Sequence, residues 1–385
     1  MDQVLNGARP AAAGTRTFPD PYGFRTHERR VLVLQGGGAL GAYQAGVFDA
    51  LDSIGFAPNW VAGVSIGAIN SALIAGNPPK KRGERVREFW NHVAGKDIAL
   101  PAGMEMLRPW MNKMSAASVV AFGVPGFFTP RQIPPAFAMG GSLGALSYYD
   151  TEPLRATLNE MVDFDLINDG DVRLSLGAVN VRTGQSRYFD STVDTITASH
   201  VMASGALPPG FPPVEIDGEF YWDGGVMSNT PLVYVIGENY RIDALVVQVD
   251  VFNGVGEMPK TLDQAQERLK DIQYQSKQSM SYAMLRRIEE IRSLLAELIA
   301  KLPPETLKEP NVKKLEEVSH RGRLSVIHLV NRADNQSFDV KDYEFSHHSV
   351  DTLWHAGRDD VLKGLMHPEV YHITDLGNGV RKYDL

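Results

Sequence analysis

Residues 60–75 read WVAGVSIGAINSALIA, and this stretch decides what the chain can fold into. Its first five residues form the continuous apolar run of a buried parallel strand, and the run from Ile66 to Ala75 is typical of a helix. Ser65 stands between them, with Gly63 and Gly67 two residues away on either side. These glycines leave room for a tight turn that presents the serine hydroxyl at a sheet edge and a helix N-terminus. The pattern predicts Ser65 as a nucleophile; the alternative is a purely structural turn.

The same order of elements occurs one step earlier in the chain. Residues 30–35 predict a buried strand and residues 42–54 a helix, with the glycine loop Gly36-Gly37-Gly38-Ala39-Leu40-Gly41 between them. Two strand–turn–helix units predict an α/β fold, a mostly parallel sheet sandwiched by helices. The loop exposes backbone N–H groups that can bind an oxyanion. Its letters also fit a dinucleotide fingerprint, but that site needs an acidic residue where the next strand ends, and Ser65 stands there.

A serine hydroxyl needs a base, and the best candidate is Asp223 in Asp223-Gly224-Gly225. The two glycines allow a tight loop that presents the carboxylate inward. A carboxylate is a weak base at its usual pKa of about 4, so this role requires a desolvated pocket or coupling to the oxyanion site. The alternative is a simple turn, since all three residues favour turns.

The rest of the chain predicts a core with additions. We expect a flexible tail over residues 1–28, a hydrolase core over 29–255 and an extension over 256–385. An insert at about 96–150, rich in Gly, Pro, Met and aromatic residues, is predicted to be a lid or pocket wall. Further elements are predicted as a hairpin over 172–181 and 186–189, strands over 242–251 and 324–330, long helices over 262–302, and a C-terminal helix over 349–366.

The long helical stretch carries a heptad seam. Its apolar residues are spaced four and three apart: Met284, Ile288, Ile291, Leu295, Leu298 and Leu302. This spacing is typical of helices that pair. Two interpretations stay open, a helical hairpin packed on its own domain and a surface for a second copy or another protein.

Composition and charge exclude several classes of function. The chain has 46 acidic and 38 basic residues, a net charge of −8, so it lacks the basic field that nucleic-acid binding requires. It has no cysteine, which excludes disulfides and thiolate chemistry. No ligand spacing predicts a metal site. The sequence shows no secretion signal and no run long enough to span a membrane, so we expect a cytoplasmic protein with peripheral membrane contact as an option.

Together these motifs resemble the patatin-like phospholipase family. The resemblance rests on three blocks in the family's order: residues 36–41, residues 63–67, and residues 203–214 leading to Asp223-Gly224-Gly225, Asn229 and Pro231. It implies a Ser65–Asp223 dyad without histidine or cofactor, which cleaves lipid acyl esters through an acyl-serine. It also implies that backbone N–H groups of Gly36, Gly37, Gly38, Ala39 and Ile66 hold the oxyanion. The glycines Gly41, Gly63, Gly67, Gly224 and Gly225 support these motifs.

The sequence departs from the family at one position. Many relatives carry Arg or Lys where this chain has Leu40, which weakens the expectation of a phospholipid head group and strengthens that of a neutral or lysolipid ester. The extension resembles that of a bacterial subgroup often encoded beside a hydroxybutyrate dehydrogenase, which points to a protein partner. The insert is expected to form the acyl pocket, with Phe127 and Phe128 either at a membrane-docking tip or in the core.

Two rival functions remain open on sequence grounds. The first is an α/β-hydrolase triad in the order Ser65, Asp223 and then His347, His348 or His355. However, only one strand precedes the serine strand here, whereas that fold usually has several. The second rival is a catalytically weak scaffold that binds a protein through the heptad seam.

Overall fold

A computed structural model gives the structure of the chain, and it describes residues 23–95, 107–237, 243–275, 278–319, 324–332, 340–365 and 380–384. Its strands are Arg29–Leu34 (β1), Trp60–Val64 (β2), Thr129–Pro130 (β3), Tyr149–Asp150 (β4), Arg173–Asn180 (β5), Ser186–Asp190 (β6), Val214–Ile216 (β7), Glu219–Asp223 (β8), Ala244–Asp250 (β9), Leu324–Val330 (β10) and Val380–Asp384 (β11). Its α-helices are Gly41–Ser53 (α1), Ile66–Ala75 (α2), Arg82–Val93 (α3), Arg108–Phe122 (α4), Glu152–Met161 (α5), Phe164–Asp169 (α6), Ala198–Ser204 (α7), Leu232–Gly237 (α8), Leu262–Tyr274 (α9), Gln278–Ile299 (α10), Pro310–Ser319 (α11) and His347–Gly364 (α12).

The main sheet is mixed and mostly parallel, which confirms the predicted α/β fold. Within the described residues its strands run in the order β11-β10-β9-β1-β2-β5-β8-β7, with β6 paired to the free side of β5. From β11 to β5 every pairing is parallel. The strands β2 and β9 are buried along their whole length. The unbroken apolar sequence of β2 predicts this burial, whereas β9 also buries the polar residues Gln248 and Asp250. The predicted hairpin is present as β5 and β6.

The sheet register brings three distant segments to one edge. The glycine loop follows β1, and Ser65 follows β2. In β5, Gly177 lies opposite Val64 of β2, while the neighbouring Ala178 lies opposite Asp223 of the antiparallel β8. Because these pairings are adjacent, the end of β8 lies next to the end of β2. Residues far apart in sequence therefore meet at the carboxyl edge of the parallel strands.

The extension is built into the same sheet and the same core. The strand β10 pairs with β9, and α12 packs across α1. Two glycines permit this close crossing: a Cβ at Gly46 or at Gly357 would lie closer than 3.0 Å to backbone atoms of the opposite helix. Polar contacts join the same pair, since the Tyr43 hydroxyl donates to Asp360 and Arg358 forms an ion pair with Asp49. Residues 324–332 and 340–365 thus continue the core formed by the described residues between 29 and 255.

The insert contains a helix, α4, that the sequence analysis did not predict, and a small antiparallel pair, β3 and β4. Phe127 and Phe128 are buried, and their rings contact Phe211. The prediction of a membrane-docking tip at these two residues is therefore wrong, because both side chains belong to the core. Residues 96–106, also part of the predicted insert, lie outside the described residues.

The predicted helices over 262–302 are present as α9 and α10. Of the heptad seam, Met284, Ile291 and Leu298 are exposed on α10. Contact with a second copy, another protein or a hydroxybutyrate dehydrogenase through this region stays a prediction. None of the helices formed by the described residues has the length and apolarity that crossing a bilayer requires.

Candidate active site

Ser65 lies in a strained turn between β2 and α2. Its backbone has φ 56° and ψ −124°, a conformation that non-glycine residues rarely adopt. Ser204, buried at the end of α7, holds this turn: the Ser65 N–H donates to its carbonyl and its Oγ, both at 3.1 Å. The Ser204 hydroxyl in turn donates to the Gly177 carbonyl at 2.6 Å. Sequence reasoning missed Ser204, because a serine in a helix carries no local pattern for this contact.

The two glycines of the pentapeptide are required by close backbone approach. A Cβ at Gly63 would lie closer than 3.0 Å to the Gly67 carbonyl, and a Cβ at Gly67 closer than 3.0 Å to the Leu34 carbonyl. Gly41 and Gly224 are similarly confined, against Ile66 and the Gly177 carbonyl respectively. These glycines set how closely helix, turn and strand pack behind Ser65.

Asp223 is buried at the end of β8, and it lines the same cavity as Ser65. Its Oδ1 accepts from the Gly225 N–H at 2.7 Å. Burial raises the pKa of Asp223 to about 7, although the neighbouring Ser65 hydroxyl and the Gly225 N–H oppose that shift. The carboxyl group is thus poised to exchange a proton near neutral pH, which answers the weak-base objection raised by the sequence.

The glycine loop lies beside Ser65, but not all of its N–H groups face an open position. The Gly36 N–H donates to the Asn229 carbonyl at 3.0 Å, and the Ala39 N–H donates to the Asp342 carbonyl at 2.8 Å. The expectation that Gly36 and Ala39 supply oxyanion donors is corrected accordingly, because both donors already have acceptors. Within the described part of the chain, the N–H groups of Gly37, Gly38 and Ile66 have no such acceptor.

Hydrogen bonds from the side chains of Asn229 and the buried Gln35 hold the glycine loop and the segments next to it in place. The Asn229 side chain donates to the carbonyls of Gly36 and Tyr274, at 3.0 and 3.1 Å. Gln35 donates to the Tyr274 carbonyl and accepts from the N–H groups of Val251 and Phe252. From the sequence, Gln35 is predicted only as the last residue of a strand. A polar residue at the end of an apolar run is the signal that could have identified its role, because a buried polar side chain needs hydrogen-bond partners.

Asp342 of the extension contacts the glycine loop directly. Besides the bond from Ala39, Asp342 forms an ion pair at 2.7 Å with Lys270 of α9. A Cβ at Gly38, where φ is +55°, would lie closer than 3.0 Å to the Asp342 carbonyl oxygen. Only glycine therefore fits beside this turn of the extension. No pattern in the sequence predicts that residues 340–346 reach the site.

Ser65 opens into a cavity of about 350 Å³. Its wall is mainly apolar and includes Ile69, Val119, Val120, Phe127, Phe128, Tyr149, Leu207, Phe211, Phe252, Tyr343 and Phe345. The ionisable side chains on this wall are Asp223, Asp342, Tyr149, Tyr274 and Tyr343; among the described residues no lysine, arginine or histidine lines it. Such a wall suits an acyl chain and offers no cation to a phosphate.

The histidines of the rival triad lie elsewhere. His347 and His348 are exposed at the start of α12, and His355 is exposed about two turns further along the same helix. None of them lines the cavity beside Ser65. In the described ranges, no group of three or more His, Asp or Glu side chains is arranged to hold a metal ion.

Two family models, a curated protein and a solved structure match the chain. The family model described as patatin-like phospholipase matches residues 32–236, and one described as patatin phospholipase matches residues 272–375. A curated relative, a cGAMP-activated phospholipase from Vibrio cholerae, is 24% identical over 241 residues, 58% of this chain; the chain spans 61% of that protein's length. The solved structure of VipD from Legionella pneumophila is 16% identical, with a TM-score of 0.33 over 85% of this chain and 67% of that one.

Proposed function

Because the chain belongs to the patatin-like phospholipase family, we propose that it is a serine hydrolase of lipid acyl esters that uses a Ser65–Asp223 dyad. The observation that carries this proposal is the buried Asp223 beside Ser65, a serine in a strained turn that lines an apolar cavity. The family supports lipid hydrolysis in general; the dyad and the substrate class are our proposal.

In the first half-reaction Ser65 Oγ attacks the ester carbonyl carbon while Asp223 takes the hydroxyl proton. The carbonyl oxygen becomes an oxyanion, and the N–H groups of Gly37, Gly38 and Ile66 donate to it. Losing one such donor costs about 3 kcal/mol of transition-state stabilisation in comparable sites. The C–O bond then breaks, Asp223 returns its proton to the leaving alcohol, and the acyl group stays on Ser65 as an ester.

In the second half-reaction Asp223, again ionised, takes a proton from a water molecule that attacks the acyl-serine. The second oxyanion uses the same three donors. Its collapse breaks the bond to Ser65 Oγ, which recovers its proton from Asp223, and the fatty acid leaves. A single carboxyl group with a pKa of about 7 can serve as base and acid in both halves.

The charges on the cavity wall support an ester with an uncharged group near the scissile bond. An ionised Asp223 would repel a phosphate held close to Ser65, and Asp342, whose charge is paired with Lys270, would not attract it. Leu40, the position where many relatives carry a cation, is buried in the core and is absent from the cavity wall. We therefore propose neutral or single-chain lipid esters as the preferred substrates.

Two other functions have weaker support. A Ser–Asp–His triad requires a histidine beside Asp223, and the histidines considered for it are exposed on α12. A catalytically weak scaffold requires a damaged site, whereas nucleophile, base and three oxyanion donors are all available here. The scaffold would still bind a partner through the α10 seam, and a labelling experiment separates it from an enzyme.

The deciding experiment is reaction with a fluorophosphonate probe, followed by assays on neutral, single-chain, diacyl phospholipid and short-chain esters. We expect labelling of the wild type at Ser65 and none of Ser65→Ala, with faster turnover of the neutral and single-chain esters. Equal labelling of both proteins, or no labelling of the folded wild type, would contradict the proposed enzyme. A preference for diacyl phospholipids would contradict the proposed substrate class alone.

A further inference from the structure

The insert exposes a large apolar face beside the cavity. Leu107, just before α4, and Trp110, Met114, Ala117 and Ala121 on it are exposed at helical spacing. Further exposed apolar residues of the insert are Phe122 at the end of that helix and Phe137 and Met139 in the following loop. Trp110, Phe122, Phe137 and Met139 are 63 to 82% exposed. A helix normally turns such a stripe toward the core, so an outward stripe indicates an interaction surface.

This face is continuous with the cavity that holds Ser65. The last turns of α4 supply Val119 and Val120 to the cavity wall. The Tyr149 hydroxyl donates to the Val120 carbonyl at 2.9 Å, which ties α4 to the small strand pair. The Tyr149 N–H donates to the Gly210 carbonyl at 3.0 Å, so the insert also borders the loop on the opposite side of the opening. Anything that covers the face therefore lies at the mouth of the cavity.

The charge of this segment differs from that of the rest of the chain. Residues 107–149 contain no Asp or Glu, whereas the chain carries 46 in 385 residues, so about five would be expected in a stretch of this length. Its charged residues are Arg108, Lys113 and Arg131. The segment thus adds no negative charge of its own that would repel an anionic lipid surface, although the chain as a whole is acidic and Asp263 of α9 is ion-paired with Lys113 on α4.

We propose that this face, with Trp110, Phe122, Phe137 and Met139 as its anchors, docks the protein on a lipid bilayer. The inference rests on the proposed function, since a bilayer is the source of a long acyl ester. Docking the cavity mouth on the bilayer lets an acyl chain pass from one apolar environment to another without crossing water. A second copy seated here would instead cover the opening.

The test uses the full chain with Ser65→Ala, so that vesicles are not consumed, and measures flotation with vesicles of phosphatidylcholine and phosphatidylglycerol. We expect Trp110→Ser, Phe122→Ser, Phe137→Ser and Met139→Ser together to weaken vesicle binding by roughly tenfold or more. The matched control places serine at four exposed apolar residues of α10, Met284, Ile291, Leu294 and Leu298, and should bind like the parent. Equal binding by the insert variant and its parent would overturn the proposal.

A second measurement separates docking from catalysis. With Ser65 present, the insert variant should hydrolyse a water-soluble short-chain ester at the wild-type rate and lose hydrolysis of a long-chain ester in vesicles. No hydrolysis of either ester by the wild type would refute the proposed function, while flotation of Ser65→Ala would still test the face. Light scattering that finds the parent dimeric and the insert variant monomeric would assign the face to a second copy and overturn the proposal.

Discussion

The two walls of the cavity differ in how they are encoded. One wall, the chemical wall, carries the nucleophile, the base and the oxyanion donors. Its lining residues are Gly36, Gly37, Gly38, Ser65, Ile66, Ile69, Gly205, Leu207, Pro208, Pro209, Gly210, Phe211, Asp223, Gly225 and Asn229. The other, the cover wall, carries much of the apolar surface together with Asp342, and its lining residues are Val119, Val120, Phe127, Phe128, Tyr149, Phe252, Tyr274, Asp342, Tyr343 and Phe345. The chemical wall is made of short turns whose glycines are visible in the sequence, whereas the cover wall is assembled from tertiary contacts. Chemistry is thus specified locally, and the shape around it is specified at long range.

The largest effect should follow from breaking the chemical wall itself. Ser65→Ala should lower kcat/KM for the best ester by about 10⁴-fold, because it removes the attacking atom, and Asp223→Asn by a comparable factor. Steady-state assays on folded protein measure both. His347→Ala and His348→Ala are the controls and should stay near wild type; a loss above about 100-fold in either would favour the triad instead.

The next effect tests where the two walls touch. Gly38→Ala should reduce kcat by about 100-fold, because a Cβ there collides with the Asp342 carbonyl and displaces oxyanion donors. Gly184→Ala is a matched control, since Gly184 also has a positive φ, +67°, but no atom within 4 Å of the added Cβ. Both variants share the conformational strain, so kcat and thermal unfolding measured together isolate the collision. Equal losses of kcat would mean that strain alone explains them.

The pH dependence sharpens the comparison by reporting the environment of the base. Asp223 must be ionised to accept the Ser65 proton, and burial has raised its pKa to about 7. Consequently kcat/KM should reach a plateau above pH of about 7 and fall towards tenfold per pH unit below it. Circular dichroism over the same range controls for unfolding. An inflection near the ordinary carboxyl pKa of about 4 would show that the cavity does not desolvate this group during the reaction.

The smallest effect should come from the cover wall alone. Lys270→Gln removes the ion pair with Asp342 and should lower kcat a few-fold with little change in KM, because the pair is partly exposed. Lys270→Arg should restore most of the rate. The control Lys308→Gln removes a pair with Glu305 on the surface and should change nothing. A change in KM without a change in kcat would place Lys270 in substrate binding instead of loop positioning.

The same contrast explains what the sequence could and could not predict. Ser65 and Asp223 follow from glycine-flanked turns at strand ends, and the strand β10 was predicted to the residue. The sequence could not show that the N–H groups of Gly36 and Ala39 are unavailable to an oxyanion, because the carbonyls that accept from them, those of Asn229 and Asp342, lie far along the chain. The burial of Phe127 depends on Phe211 and Phe345, again distant in sequence. The helix α4 was missed because its exposed face is apolar, which removes the usual amphipathic pattern.

The bond from Ala39 to Asp342 also has a consequence for biosynthesis. A ribosome releases the glycine loop, Ser65 and Asp223 long before it makes residues 340–346, so a nascent chain holds nucleophile and base without the segment that closes the loop. On the proposed function, a chain that ends before residue 340 would hold Ser65 and Asp223 but lack the contact that fixes the loop of the oxyanion donors.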